Sequence, residues 1–199
     1  MKYRLTDETK EYYGRILHRI EAVETFGSVE AGEKGGWIEK EENLSQEGLC
    51  WVYDNAQVYG NAQVYGNAWV YDNAQVRGNA QVYGDAWVCG DARVYGNAQV
   101  YGDAWVCGDA RVYDNAQVYG DAQIRSRGDI FWVTGLGSRQ GTTTIYRNKD
   151  GELTVTCGCF LGTLEKFEAK VKGTHGDNLF GREYRALIEL AKIHFGMNL

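Results

Sequence analysis

From residue 52 to residue 124, valine or isoleucine recurs every six residues, at 52, 58, 64, 70, 76, 82, 88, 94, 100, 106, 112, 118 and 124, without a slip. Alanine stands four places after each of them from Ala56 to Ala122. A two-residue corner of Gly or Asp followed by Asn or Asp precedes every alanine. A period of six fits neither an amphipathic helix nor a simple alternating strand. It fits a short strand, a corner, and another short strand. Gly, Asn and Asp are the residues that accept the left-handed backbone such corners need.

The unit "VYGNAQ", with an aliphatic first position and a small fifth one, resembles the hexapeptide-repeat family, which forms left-handed parallel β-helices. The resemblance covers residues 51–125 and implies three hexads to each triangular coil, a structural period of eighteen. The outward positions test that period independently. Sorted by eighteen, they fall into uniform columns: Trp51, Trp69, Trp87 and Trp105; Gln63, Gln81, Gln99 and Gln117; Tyr65, Tyr83, Tyr101 and Tyr119. Cys89 falls above Cys107, and Arg93 above Arg111. Periods of twelve or twenty-four would mix these columns. Four 18-residue coils at the inter-strand spacing of about 4.8 Å make a rod of roughly 20 Å, with Val and Ala inside.

The ends differ from the middle. Residues 1–50 predict a hairpin, "KYRL" and "GRILHRIEAV" separated by the polar "TDETKEYY", then an irregular first coil in which Ile38 and Leu44 lie six apart. Capping the open end of the repeat accounts for this segment. Residues 126–199 predict three strands, in "DIFWVTGLG" and "TTTIYRNKDGELTVTCGCF", and then two helices. The first helix has the stripe Leu164, Phe167 and Val171 and stops at Gly173. The second has Phe180, Tyr184, Leu187, Ile188, Ala191 and Phe195 and ends at Gly196. The fold class is therefore mainly β: a left-handed parallel β-helix of four coils with an N-terminal β cap (1–50), the repeat body (51–125) and a small C-terminal ββ-β-α-α domain (126–199). The opening segment, with "GGWIEKEENLSQEGLCWVYDNA", and the tail, with "GSRQGTTTIYR", "VTCGCFLGTLEKF" and "THGDN", resemble hexapeptide-repeat proteins frequent in bacteriophage and prophage genomes. That resemblance implies a phage context and carries no activity with it.

Charge narrows the partners. The net charge is −6, distributed as −4 over residues 1–50 (7 basic, 11 acidic), −4 over 51–125 (4 basic, 8 acidic) and +2 over 126–199 (10 basic, 8 acidic). An acidic whole argues against binding nucleic-acid polymers or anionic membranes, which needs clustered Lys and Arg. No apolar run reaches the length of a membrane span and no signal peptide opens the chain, so a cytoplasmic protein is expected. Its five cysteines, Cys50, Cys89, Cys107, Cys157 and Cys159, are then expected to be thiols.

A face lined by Trp51, Trp69, Trp87 and Trp105, with Tyr53 and Tyr71 beside it, is too apolar to be left wet. Simple ladder stacking explains part of it. The face should be covered by another subunit or by the end segments of its own chain. Since members of the hexapeptide-repeat family commonly associate side by side as trimers, burial in a homo-oligomer, a trimer above all, is expected.

Many hexapeptide-repeat proteins are acyltransferases that use a histidine near a subunit interface as general base. Here His18, His175 and His194 all lie outside the coils, so that pattern transfers to no position and an enzyme is not expected. His18 reads as a packed or surface histidine. "CGC" at 157–159 reads as buried strand thiols rather than a metal site, and neither a metal nor a cofactor is expected. The donor-rich "GLGSRQGTTT" with "THGDN" is the strongest candidate site. Arg139 suits phosphate oxygens, Ser138, Thr142 and Thr143 offer hydroxyls, His175 lies nearby, and Tyr184 can stack on a base. No Walker or dinucleotide motif is present, since the glycine loop leads into a strand. A glycine-rich turn with incidental polar residues is the plain alternative. The sequence thus points to a non-enzymatic homo-oligomeric binding protein that sequesters a small phosphate-bearing, nucleotide-type ligand, such as an immune signal. The second reading is a scaffold that docks a host or virion protein, and the third a hexapeptide-repeat acyltransferase.

Overall fold

The computed structural model describes residues 1–197, and the architecture below refers to them. An antiparallel hairpin, β1 (Tyr3–Tyr12) and β2 (Arg15–Ala22), leads to β3 (Lys34–Ile38). Thirteen two-residue strands follow, from β4 (Trp51–Val52) to β16 (Gln123–Ile124). The chain ends in β17 (Ile130–Leu136), β18 (Gly141–Arg147), β19 (Leu153–Cys157), β20 (Phe160–Thr163), α1 (Leu164–His175) and α2 (Leu179–His194).

The two-residue strands pair in parallel with their counterparts eighteen residues away, Trp87 with Trp69 and Trp105, Gln99 with Gln81 and Gln117. The result is a three-faced parallel β-solenoid of about five turns, one more than the repeat count alone gives. The additional turn is the irregular first coil: Trp37 and Ile38 pair with Gln57 and Val58, and Leu44 bridges to Val64. Those partners lie twenty residues apart rather than eighteen, so two extra residues are absorbed before the repeat settles into register.

Every inward valine and alanine of the coils is essentially inaccessible to solvent. Hydrogen bonds along the axis hold the rungs, as in Tyr71 N–H to Val88 O at 3.0 Å and Trp87 N–H to Ala104 O at 2.8 Å. The corners stack as tightly as the strands. Gly84 has φ +71°, and a Cβ there would meet the Gly102 nitrogen at 2.9 Å. Asp54, Asp72 and Asp114 take the same left-handed conformation where glycine is absent. Outside, Tyr65, Tyr83, Tyr101 and Tyr119 stack with ring centroids 4.7 Å apart.

Both ends are closed by side chains that satisfy open backbone. At the first coil, Asn43 Nδ2 donates to Ala62 O at 2.8 Å, and the Tyr3 hydroxyl donates to Leu44 O at 2.7 Å. At the last coil, Thr144 Oγ1 accepts from Gln117 N–H at 3.1 Å. Thr156 Oγ1 donates to Gln117 O at 3.1 Å and the Tyr146 hydroxyl to Tyr119 O at 2.9 Å. One face of the C-terminal sheet therefore seals the solenoid, while its other face packs α1 and α2 around Ile145, Val155, Phe167 and Ile188.

Several local expectations change. The polar "TDETKEYY" is not a loop. It continues β1, because Tyr13 (φ 48°) and Gly14 (φ 73°) form a two-residue turn and the outer hairpin strand faces water. The C-terminal sheet has a fourth strand, β20, too short to show in the pattern. Gly173 does not stop α1, which runs on to His175 and ends at Gly176 in a left-handed conformation (φ 52°). Cys89 and Cys107 are not thiols but a disulfide, because stacking brings residues eighteen apart to a Cα separation of 4.5 Å. Cys50, Cys157 and Cys159 are free, and Cys159 lies exposed in the β19–β20 turn rather than buried in a strand.

Candidate functional site

The C-terminal unit brings four of the sequence-singled residues to one cavity. Gly137–Gln140 turns the chain from β17 into β18, with Gly137 (φ 70°) and Gln140 (φ 48°) both left-handed. Gly137 N–H donates to Glu183 Oε2 at 3.0 Å, which ties the turn to α2. A side chain at 137 would collide with the Tyr184 hydroxyl. This glycine is therefore required for close approach as well as for the turn. His175 closes α1, and Arg185 Nη1 donates to Gly176 O at 2.7 Å, which fixes the inter-helix turn.

Ser138, Arg139, His175 and Tyr184 line a cavity of about 300 Å³ whose walls include Phe160, Phe167, Val171 and Cys157. Tyr184 is its pivot. Its ring meets Phe167 edge-on at 5.5 Å and faces His175 at 5.6 Å. Its hydroxyl lies 3.7 Å from Cys157 Sγ. Burial, reinforced by the Cys157 hydrogen bond, pushes the Tyr184 phenol up to about 12, so it stands in the site as a neutral hydrogen-bonding group. Arg139 and Lys170 stand exposed at the cavity. The ion pairs of this unit use Arg127, Arg147, Lys149, Arg185 and Lys192; among the described residues Arg139 and Lys170, like the exposed Lys166, Lys172 and Arg182, are in none.

Thr142 and Thr143 stand outside the lining. Strand alternation turns Thr142 away toward Thr134, 3.0 Å between hydroxyls. Thr143 is buried beneath the cavity and donates to Cys157 Sγ at 3.2 Å. Lys170 and Phe160 were not singled out, while Cys157 was read as a buried strand thiol and Phe167 as a helix-stripe residue rather than as parts of a site. Lys170 sits one turn after Phe167 on the rim of the apolar stripe, and nothing but that position marks it. Among the described residues no three His, Cys, Asp or Glu side chains are grouped to hold a metal.

The tryptophan face is divided. Trp51 is fully buried under Tyr3 (6.0 Å) and Phe26 (5.4 Å) of its own chain, so it cannot meet a partner subunit. Trp69, Trp87 and Trp105 stack at 5.3 and 5.0 Å, and Trp105 is 43% exposed. His18 is packed in the hairpin, its Nδ1 3.3 Å from Thr6 O. No helix among the described residues is long and apolar enough to cross a membrane.

Comparison with known proteins places the repeat. The model of the YdcK β-solenoid repeat matches residues 56–72, 62–78, 86–102, 92–108 and 104–120. A stretch of 61 residues is 41% identical to the uncharacterized acetyltransferase YdcK of Escherichia coli (strain K12), covering 27% of this chain. The chain spans 19% of that relative's length. Neither the hairpin nor the unit that carries the cavity falls within the family-model matches. Through its coils the chain is similar to YdcK-type β-solenoid repeats, and its middle is a parallel β-solenoid with a six-residue sequence period.

Proposed function

We propose that the chain is a non-enzymatic binding protein whose C-terminal cavity takes a small molecule with a planar aromatic body and a phosphate. The observation that carries this reading is the convergence in one cavity of aromatic walls and two unpaired cations. Phe160, Phe167 and Tyr184 offer surfaces for a ring, while Arg139 forks onto phosphate oxygens with Ser138 and Lys170 beside it. The cavity lies at the small end of the range for ligand pockets, which suits a nucleotide-sized fragment. The resemblance of the chain's two ends to phage proteins extends the proposal to a host cytoplasm, where a homo-oligomer would sequester a nucleotide immune signal. The open Trp69–Trp87–Trp105 surface would supply the subunit contact, a trimer being the expected form.

Isothermal titration against cyclic and ADP-ribose-type nucleotides tests the reading, and native mass spectrometry reports copy number and any ligand carried from the cell. Arg139→Ala should weaken binding by roughly ten- to a hundredfold, the worth of one charge-assisted contact, with the fold intact. Unchanged affinity in that variant would remove Arg139 from the site. A second reading, acetyl transfer, is favoured by the name of the E. coli relative alone. The coils offer no histidine, and His175 is the base that the cavity contains. Turnover of acetyl-coenzyme A that disappears in His175→Ala would replace the binding proposal with this one.

A further inference from the structure

Two columns run side by side along the solenoid face that begins at Trp37. One reads Gln57, Gln75, Arg93, Arg111, and the other Tyr59, Arg77, Tyr95, Tyr113. The hairpin closes the first end, where the Tyr12 ring packs on Tyr59 at 5.8 Å and Gln75 Nε2 donates to the Tyr12 hydroxyl at 2.9 Å. Trp132 of β17 closes the other, edge-on to Tyr113 at 4.4 Å. Between them a basin of about 630 Å³ opens over Arg77 and Arg93, and a second of about 500 Å³ over Arg111.

Arg93 and Arg111 are directly paired in the parallel ladder. Like charges in register are destabilising, and this is the one such pair among the outward strand positions of the coils. The same column carries glutamine at 57 and 75, so a neutral ladder was available. Arg77 adds a third guanidinium one rung away, laid over the Tyr95 ring at 4.4 Å. At the two ends, Arg15 pairs with Glu39 at 2.8 Å and Arg127 with Asp109 at 3.5 Å. Arg77, Arg93 and Arg111 have no such partner among the described residues, although Asp114 stands at the rim of the second basin. Three cations without an ion-pair partner, gathered on one face of an acidic protein, make a local positive field that attracts an anion.

We infer that this face is an anion site, separate from the C-terminal cavity, that binds a chain of linked phosphates along the Arg77–Arg93–Arg111 row. Arg93 and Arg111 repeat at the rung spacing of about 4.8 Å, and Arg77 extends the row diagonally from the neighbouring column, its guanidinium over Tyr95. The three reach oxygens on successive phosphates, whereas a single phosphate cannot engage all three. A nucleoside triphosphate and an inorganic polyphosphate both carry such a chain, and titration tells them apart. The inference does not rest on the cavity reading, since the two sites share no residue.

The test is isothermal titration of the full chain with inorganic tripolyphosphate, ATP and orthophosphate. It compares wild type with Arg93→Gln/Arg111→Gln and with Arg182→Ala, an exposed cation outside both sites. Tripolyphosphate should bind at least tenfold more tightly than orthophosphate. The double variant should lose about a hundredfold, each charge-assisted contact contributing about tenfold, and Arg182→Ala should lose nothing. ATP binding as tightly as tripolyphosphate identifies the phosphate chain as the ligand, and tighter binding that the double variant abolishes adds a base on the Tyr–Trp edge. Both support the site. Absence of tripolyphosphate binding overturns it, as do a loss under twofold in the double variant, orthophosphate binding as tightly, or an equal loss in Arg182→Ala. The double variant should also melt no lower than wild type, because glutamine is the column's own residue and a repulsion is removed. A lower melting temperature would mark the arginines as structural and overturn the inference.

Discussion

Val88 stands in the middle of the rod, paired in register with Val70 and Val106 and without solvent exposure. Val88→Ala removes two carbons, worth about 1.6 kcal/mol at about 0.8 kcal/mol per buried CH₂. The neighbours cannot close the gap. The rung above is held by Cys89 N–H to Val106 O at 3.0 Å, and the rung below by Tyr71 N–H to Val88 O at 3.0 Å. A residual void on the order of 40 Å³ at about 24 cal/mol per Å³ therefore adds about 1 kcal/mol. The sum, about 2.5 kcal/mol, should lower the urea midpoint by about 1 M, given a slope near the upper end of about 1–3 kcal/mol per molar. Val88→Asp, which places a charge in the same slot, should cost several kcal/mol more. Equilibrium unfolding followed by circular dichroism measures both, with the outward Gln81→Ala as a control expected within about 0.5 kcal/mol of wild type. If Val88→Ala matched that control, the rungs would not be packed as described and the argument from inward valines would fail.

Stability should fall from pH 10 upward. Burial holds the phenols of Tyr3, Tyr146 and Tyr184 protonated, Tyr184 up to about 12, whereas the unfolded chain ionises them near their ordinary value of 10. The folded state then binds more protons above pH 10, so the stability present below 10 is lost as the pH rises through the raised values, and Tyr184→Phe should reduce the size of that loss. Thiol titration of the denatured, unreduced chain should find the three free cysteines 50, 157 and 159, and five after reduction; five before reduction would dissolve the Cys89–Cys107 link. If the open tryptophan surface joins subunits, Trp105→Glu should lower the mass found by light scattering, while a wild-type monomer at micromolar concentration would remove the oligomer from the proposal.

The coils were legible because most residues of a hexad meet their own kind eighteen places away. Period, interior, corners and stacked columns all follow from nearest-neighbour repetition, and even the irregular start at Ile38 and Leu44 shows as a faltering of the same beat. The C-terminal helices were legible as stripes, and so was the end of α2 at the left-handed Gly196 (φ 69°), although not the end of α1. Gly173 is tolerated inside α1 because it lies on the exposed side, and the real stop is the left-handed Gly176. What repetition cannot encode is contact between unlike segments. Only the folded chain shows that Trp51 is claimed by Tyr3 and Phe26, or that Thr144, Tyr146 and Thr156 seal the last rung. The same holds for Thr143, which turns from Arg139 to Cys157. Only the folded chain gathers Arg139, Lys170, His175 and Tyr184, drawn from a turn and two helices, around one cavity. Such contacts depend on how elements far apart in sequence pack, through side-chain direction and volume. A periodic pattern records neither, because it reports which face a residue takes and not which partner meets it there.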